Sequence, residues 1–437
     1  MAFSGPGNLK GFTYELPSAT LPDATETSDP KTGAGFFQID GRVWAAVTAG
    51  DINLAASYLV LACGTGHGNR STSWSTKAVM NHAGVGWIRA KAAIDDLIAR
   101  GFVRYAEKHT PDKPRYELAT YREFANHVAV KNPPAPPDYY DEKVLEKLQA
   151  GKQPTHKFDR KHAERLCQRG LLCRDAQGVY KFPEPQEEDS GDDPVWLPNS
   201  IVLGTAAGED SPVRKLRSAG CIWTLRLFVD LYSAQNLRDD GGIDPRLIRQ
   251  KFDRQNIGEQ GAYIVWGFKP GDRTHWWEGP FAAHRSRPKV KPEDSSPAWE
   301  SLNLLKTMGL VSFVPHIFEN DTNAAEPIHV YGLGSTAEDP LEQEIGAAAD
   351  RAARAMCLPS RLETAADDGF EHFCPVLRTK PSAQMVGVAR LTYRPDTKRT
   401  AAWQAQLHQA APVWLETFEK LADKGKIADF LRKENYA

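Results

Sequence analysis

Six thiols, Cys63, Cys167, Cys173, Cys221, Cys357 and Cys374, are the residues of this 437-residue chain with the broadest chemical repertoire. A zinc site brings its ligands in close pairs, with spacings such as CxxC or HExxH. Cys167 and Cys173 are separated by five residues and His372 stands two before Cys374, so no such pair occurs. The thiols read as buried and reduced. The GTGHG stretch at 64–68 lacks the Lys-Ser/Thr of a phosphate-binding loop, and it follows a helix pattern rather than a strand. No GxSxG elbow is present. The acid doublets Asp95-Asp96, Asp239-Asp240 and Asp367-Asp368 lie on a helix exterior or beside Gly, where surface and turns account for them. These residues predict a protein that is not an enzyme and that uses neither metal nor cofactor.

The cations are organised differently. Net charge is only −2, yet residues 67–131 hold eleven Lys/Arg against six Asp/Glu, and residues 143–174 hold nine against three. Residues 183–211 hold eight acids and no Lys or Arg. A chain that segregates charge in this way binds an anion through one part while staying near neutral overall. The longest apolar stretch, Leu54–Cys63, is far short of the roughly 20 residues that span a bilayer, and the N-terminus has no signal-like pattern. A cytoplasmic protein with no membrane contact is expected.

The elements that must position these cations follow from capping and periodicity. GFFQIDGRVWAAV reads as two apolar runs about a turn at Asp40-Gly41. Asp51 caps a helix through Leu61, Ser75 caps a short helix, and Gly84-Val85-Gly86 breaks it. A second helix runs from Trp87 to Arg100 and stops at Gly101. Strand-like runs at 102–107 and 115–119 follow.

The stretch WSTKAVMNHAGVGWIRAKAAIDDLIARGFV, Trp74 to Val103, resembles the helix-turn-helix of winged-helix proteins without a gap. Residues 35–120 resemble, more loosely, the winged-helix domains of phage and plasmid replication proteins. What the resemblance implies is double-stranded DNA binding, in replication initiation or transcription regulation of a mobile element or its host. The second helix would enter a major groove about 12 Å wide. Arg89 and Lys91 are then the candidate base or phosphate contacts, with Trp87 exposed beside them. Ser75, Thr76 and Lys77 would sit over a phosphate, and Lys108, Lys113 and Arg115 at the wing would reach the backbone or minor groove. On a following small module, Lys157, Arg160, Lys161 and Arg165 are further candidates. The alternative is a non-catalytic adaptor or inhibitor whose winged-helix modules bind a protein partner of a nucleic-acid machine, with the C-terminal helices as a second protein-binding surface.

The predicted architecture is α+β, mainly helical: tandem winged-helix modules with small antiparallel wings and a C-terminal helical segment. The expected division is a loose arm (1–33), winged-helix domain 1 (34–130), a basic helix-helix-hairpin module (139–183) and an acidic linker (184–211). A second winged-helix-like domain (212–335) follows, with IDPRLIRQKF as a short helix and a basic, aromatic insertion at 254–296, and then a helical segment (336–437). Within that insertion, residues 269–291 interleave six Lys/Arg with Trp276, Trp277 and Phe281, a pattern that suits either single-stranded nucleic acid or a packed surface hairpin.

Overall fold

A computed structural model of the chain describes residues 35–131, 139–168, 172–174, 178–181, 193–205, 210–285, 297–332, 339–394 and 398–435. The expected arm, the proline-rich spacer at 132–138 and residues 184–192 of the acidic stretch lie outside them. The fold is α+β and mainly helical, with 50% helix and 23% strand.

Strand β1 (Phe36–Asp40) runs into α1 (Gly41–Val47), not into the expected hairpin. The Asp40 carboxylate accepts hydrogen bonds from the backbone N–H groups of Arg42 and Val43, so the residue that suggested a turn caps a helix instead. Helix α2 (Ile52–Cys63) is capped by Asp51, and every residue from Leu54 to Cys63 is buried. A helix that is apolar all round belongs in a core. Around α2 lie β2 (Ser71–Thr72), α3 (Thr76–Ala83), α4 (Trp87–Ala99), β3 (Val103–Tyr105), β4 (Tyr116–Leu118) and α5 (Tyr121–Lys131). The three strands form a sheet in the order β2-β4-β3.

Helices α6 (Tyr139–Gln149) and α7 (Lys157–Gln168), with strands β5 (Cys173–Arg174) and β6 (Tyr180–Lys181), form the expected helix-helix-hairpin. They enclose a core of their own: Val144, Leu148, Ala163, Leu166, Leu172 and Tyr180.

The described part of the expected linker is not a linker. Strand β7 (Pro194–Pro198) pairs antiparallel with β1, Asp40 opposite Pro194, and α8 (Ser200–Leu203) buries Ile201 and Val202. Val195 and Leu197 alternate inward, which ties this acidic stretch into the N-terminal core. Helix α9 (Pro212–Ala219) then leads to α10 (Ile222–Ser233), on which Leu227 and Leu231 are buried and Trp223 is half-buried.

Short strands β8 (Gln235–Asn236) and β9 (Gly242–Ile243) precede the largest departure from the expected layout. IDPRLIRQKF does not form a helix. It opens β10 (Ile248–Gln260), which pairs with β11 (Tyr263–Trp277) in a long antiparallel hairpin. Residues 254–277 of the expected insertion are therefore a sheet hairpin, and residues 286–296 lie outside the described residues. The chain continues through α11 (Ala282–Arg285), α12 (Pro297–Thr307), β12 (Val311–Phe318), β13 (Pro327–Val330), α13 (Pro340–Met356), α14 (Pro359–Asp367), β14 (His372–Leu377), β15 (Gln384–Leu391) and α15 (Lys398–Asn435). The six-stranded sheet has the order β13-β12-β15-β10-β11-β14. Two of its strands, β14 and β15, come from the segment expected to be only helical, and β15 sits between β12 and β10. The sheet thus crosses the expected boundary at 335/336.

Helix α15 lays its apolar stripe inward. Trp403, Leu407, Phe418 and Leu421 are buried in a core shared with α13 and the sheet, and Trp414 packs at its edge. That stripe is core rather than a surface offered to a partner.

Candidate nucleic-acid interface

Helices α3 and α4 meet through small residues, as their sequence requires. Ala83, Ala90 and Val85 are buried between them, and Gly84 takes φ +67°, a left-handed conformation that side chains rarely adopt. The Ser75 hydroxyl caps α3 by accepting from the Lys77 N–H at 3.3 Å. The Trp74 ring stacks on His82 at 4.9 Å, which pins the first helix against its own end. Inward, α4 presents Ala90, Ala93, Ile94 and Leu97.

Outward, α4 presents Trp87, Ile88, Arg89, Lys91, Ala92 and Asp95, all exposed. Its N-cap is Gly86, which supplies no side-chain acceptor, so the first N–H groups of the helix are left for solvent or a ligand. Trp87 is 55% and Ile88 82% exposed, an unusually apolar tip for a helix end. Arg89 lines a shallow notch with Asp51, Asn53 and Asp96. Asp51 is committed to its cap and Asp96 is paired with Arg100 at 2.9 Å.

The loop joining β3 and β4 is braced from within. His109 Nδ1 and the backbone of Arg115 approach at 3.0–3.1 Å, and the rings of Tyr105, His109 and Tyr116 cluster beneath. This leaves Lys108, Lys113 and Arg115 exposed on the loop. At its base Arg104 pairs with Glu117 at 2.7 Å and Glu123 at 2.9 Å, and Arg70 pairs with Glu123 at 3.0 Å. Partial burial works against ionisation of Glu123. The Thr120 N–H and the guanidiniums of Arg70 and Arg104 outweigh it and hold the carboxyl below its usual range.

Candidates Ser75, Thr76, Lys77, Trp87, Arg89, Lys91, Lys108, Lys113 and Arg115 therefore belong to one module. Lys157, Arg160, Lys161 and Arg165 lie on α7 of the separate small module. All four are exposed, but Arg160 donates to the Pro154 carbonyl and Arg165 pairs with the buried Asp141 at 2.6 Å. The rings at 276, 277 and 281 are not an open stacking surface. Trp277 and Phe281 are buried, and Trp276 is half-buried with the Arg249 and Lys251 cations 5.5 and 5.3 Å from its ring. Residues 286–291 of that stretch lie outside the described residues.

Helix α9 adds cations that the sequence pattern did not bring to this site. Its Arg217 donates to the Gly84 carbonyl at 2.9 Å, Ser211 donates to the His82 carbonyl at 3.4 Å, and the Arg214 side chain lies against Gly84. Arg214, Lys215 and Arg217 thus stand on a helix seated at the turn between α3 and α4. The available signal was SPVRKLRS, a serine cap, an early proline and closely spaced cations, about 130 residues away from the turn they touch.

Among the described residues no cluster of three or more His, Cys, Asp or Glu could hold a metal, and no helix is long and apolar enough to cross a membrane. Asp240, in one of the acid doublets, is pushed up to about 7 by burial and by neighbouring Asp244, and it accepts a hydrogen bond from Asn236 at 2.8 Å. No family model, curated protein or solved structure matches this chain.

Proposed function

We propose that residues 51–119 form a winged helix-turn-helix that binds double-stranded DNA, with α4 as the recognition helix and the β3–β4 loop as the wing. The observation that carries this reading is the arrangement of cations about one exposed helix end. Arg89 and Lys91 lie on α4, Lys77 on the first turn of α3, Lys108, Lys113 and Arg115 on the wing, and Arg214 and Arg217 beside the turn. In this reading the uncapped N-terminus of α4 and the capped start of α3 face phosphates, and the side chains of α4 reach base edges. The protein acts without catalysis, as a replication initiator or transcription regulator.

A salt titration against a random-sequence duplex tests it. Neutralising several phosphates makes affinity fall steeply as salt rises, with a slope near −0.9 per phosphate contacted. Affinity that is absent at low salt, or that does not respond to salt, rejects the reading.

The exposure of Trp87 and Ile88 favours a second reading, in which the same helix end docks a protein partner. Replacing both by Ser separates the two. Duplex binding that survives while a partner is lost supports docking; loss of duplex binding places the pair against DNA.

A further inference from the structure

Trp277 and Phe281 bear out the packed reading of 269–291, and the open aromatic surface lies on the small module. Tyr139, Tyr140 and Phe158 are 62%, 51% and 44% exposed, the densest group of open rings among the described residues. They are contiguous. Tyr139 and Tyr140 lie 5.4 Å apart, Tyr140 and Phe158 5.1 Å apart, both nearly edge-to-face, and Phe158 meets His162 at 4.6 Å. The module does not need these rings for its interior, because Val144, Leu148, Ala163, Leu166, Leu172 and Tyr180 close that core without them.

Cations accompany the rings in a regular way. On α6, Tyr140 is followed by Lys143 and Lys147 at i+3 and i+7; on α7, Phe158 is followed by Lys161 and Arg165 at the same steps. Residues at these spacings share one face of a helix. Two ion pairs cross between the helices, Lys147 to Asp159 at 2.7 Å and Arg165 to Asp141 at 2.6 Å, and Asp141 also holds His162 at 2.9 Å. Asp141 is fully buried, so the helices that carry the rings are locked together from below. Lys143 stands 4.5 Å over the Tyr139 ring, and Lys157 and Lys161 are exposed beside Phe158. Glu142 and Glu146 stand at i+3 and i+7 from Tyr139, and Glu164 at i+3 from Lys161, so acids border this face as well as cations.

We propose that this face of α6–α7 is a binding site for single-stranded nucleic acid. Two or three unpaired bases stack on Tyr139, Tyr140 and Phe158, and Lys143, Lys157 and Lys161 accompany the phosphates. A duplex keeps its bases stacked inside and offers these rings nothing to stack on, whereas an unpaired strand offers a π-face at every base. A braced ring platform ordered before binding loses little side-chain freedom when a base arrives. The site is independent of α4, and either assignment can fail without the other.

The test uses the full chain and the anisotropy of a labelled oligo-dT, alone and annealed to oligo-dA. Replacing Tyr140 and Phe158 by Leu keeps apolar area and removes the rings. Affinity for oligo-dT is expected to fall by roughly 10- to 100-fold, with duplex affinity nearly unchanged. Replacing Lys157 and Lys161 by Gln is expected to weaken oligo-dT binding and flatten its salt dependence. Absence of oligo-dT binding at low salt overturns the proposal. So does oligo-dT binding that the Leu variant leaves intact, or a loss that is equal for strand and duplex. A protein ligand retained by the Leu variant, with no binding of oligo-dT, overturns it in favour of protein docking.

Discussion

Replacing Glu342 by Gln leaves Arg390 charged, in a place that water does not reach, without its counter-ion. Both side chains are fully buried, and Nη1 of Arg390 donates to the two carboxylate oxygens at 2.7 and 2.9 Å. The guanidinium also lies 4.5 Å from the Trp403 ring, and its Nε and Nη2 have no hydrogen-bond partner among the described residues. Glu342 therefore supplies most of what offsets the cost of burying this cation between β15, α13 and α15. Removing one member of such a pair costs about 3–5 kcal/mol, a large share of the roughly 5–15 kcal/mol that holds a domain together. Removing both, with Glu342→Leu and Arg390→Met, restores most of that loss, because two charges no longer need to leave water. Urea unfolding followed by tryptophan fluorescence is the assay, with the midpoint carrying the information while the slope stays constant. A single variant that loses less than about 1 kcal/mol, as a surface pair does, refutes the reasoning. A double variant as unstable as the single one refutes it equally.

Three further outcomes are expected. Gly84→Ala puts a Cβ 2.8 Å from Arg214 Nε at a φ of +67°, so stability should fall by about 1–2 kcal/mol and hydrogen exchange should quicken at α3 and α9; an unchanged exchange pattern contradicts the packing of α9 on this turn. Asp51 accepts from Asn53 and Leu54 at 2.7 and 3.0 Å, and Asp51→Ala should cost about 1–2 kcal/mol by thermal melting, with no loss meaning that the cap is not used. Burial pushes His275 and His316 down to about 3 and His329 to about 4. With folded values below the unfolded value of about 6.5, the unfolded chain takes up protons first, so stability is full above about pH 6.5 and falls toward pH 4 by up to ~1.4 kcal/mol per pH unit for each His. Urea midpoints near neutrality and near pH 5 should differ, and His329→Phe should shrink the difference; equal midpoints in the parent protein contradict the buried, neutral histidines.

What the sequence made legible was local. Asp51, Ser75, Gly84 and Gly101 each mark an end that the chain observes, and α2, α3 and α4 follow from them. Helices α13 and α15 fall in the segment expected to be helical, and α6–α7 in the expected helix-helix-hairpin. The sheet was not. β10 carries bulges at Gln250/Phe252 and Asn256/Gly258, which shift its alternation out of phase twice in thirteen residues. β15 is buried from Met385 to Leu391 without a break, so it has no alternation to read. β1 and β7 pair across more than 150 residues, through a register that neither strand reveals alone. The same distance hid α9, whose cations reach the α3–α4 turn only once the fold is assembled. Trp276 and Trp277 show where pattern alone stops: their basic surroundings allowed a stacking surface or a packed hairpin, and only the assembled hairpin, which turns both rings onto its own neighbours, decides for the second.

Charge reversal on α4 tests the duplex-binding account most directly. With Arg89→Glu and Lys91→Glu in the full chain, the account predicts that affinity for duplex DNA falls by about 100-fold or more. It also predicts that the slope of log affinity against log salt shrinks by up to about two, one for each of the two side chains that neutralises a phosphate rather than reading a base edge. Duplex binding with the affinity and salt slope of the parent protein would contradict it.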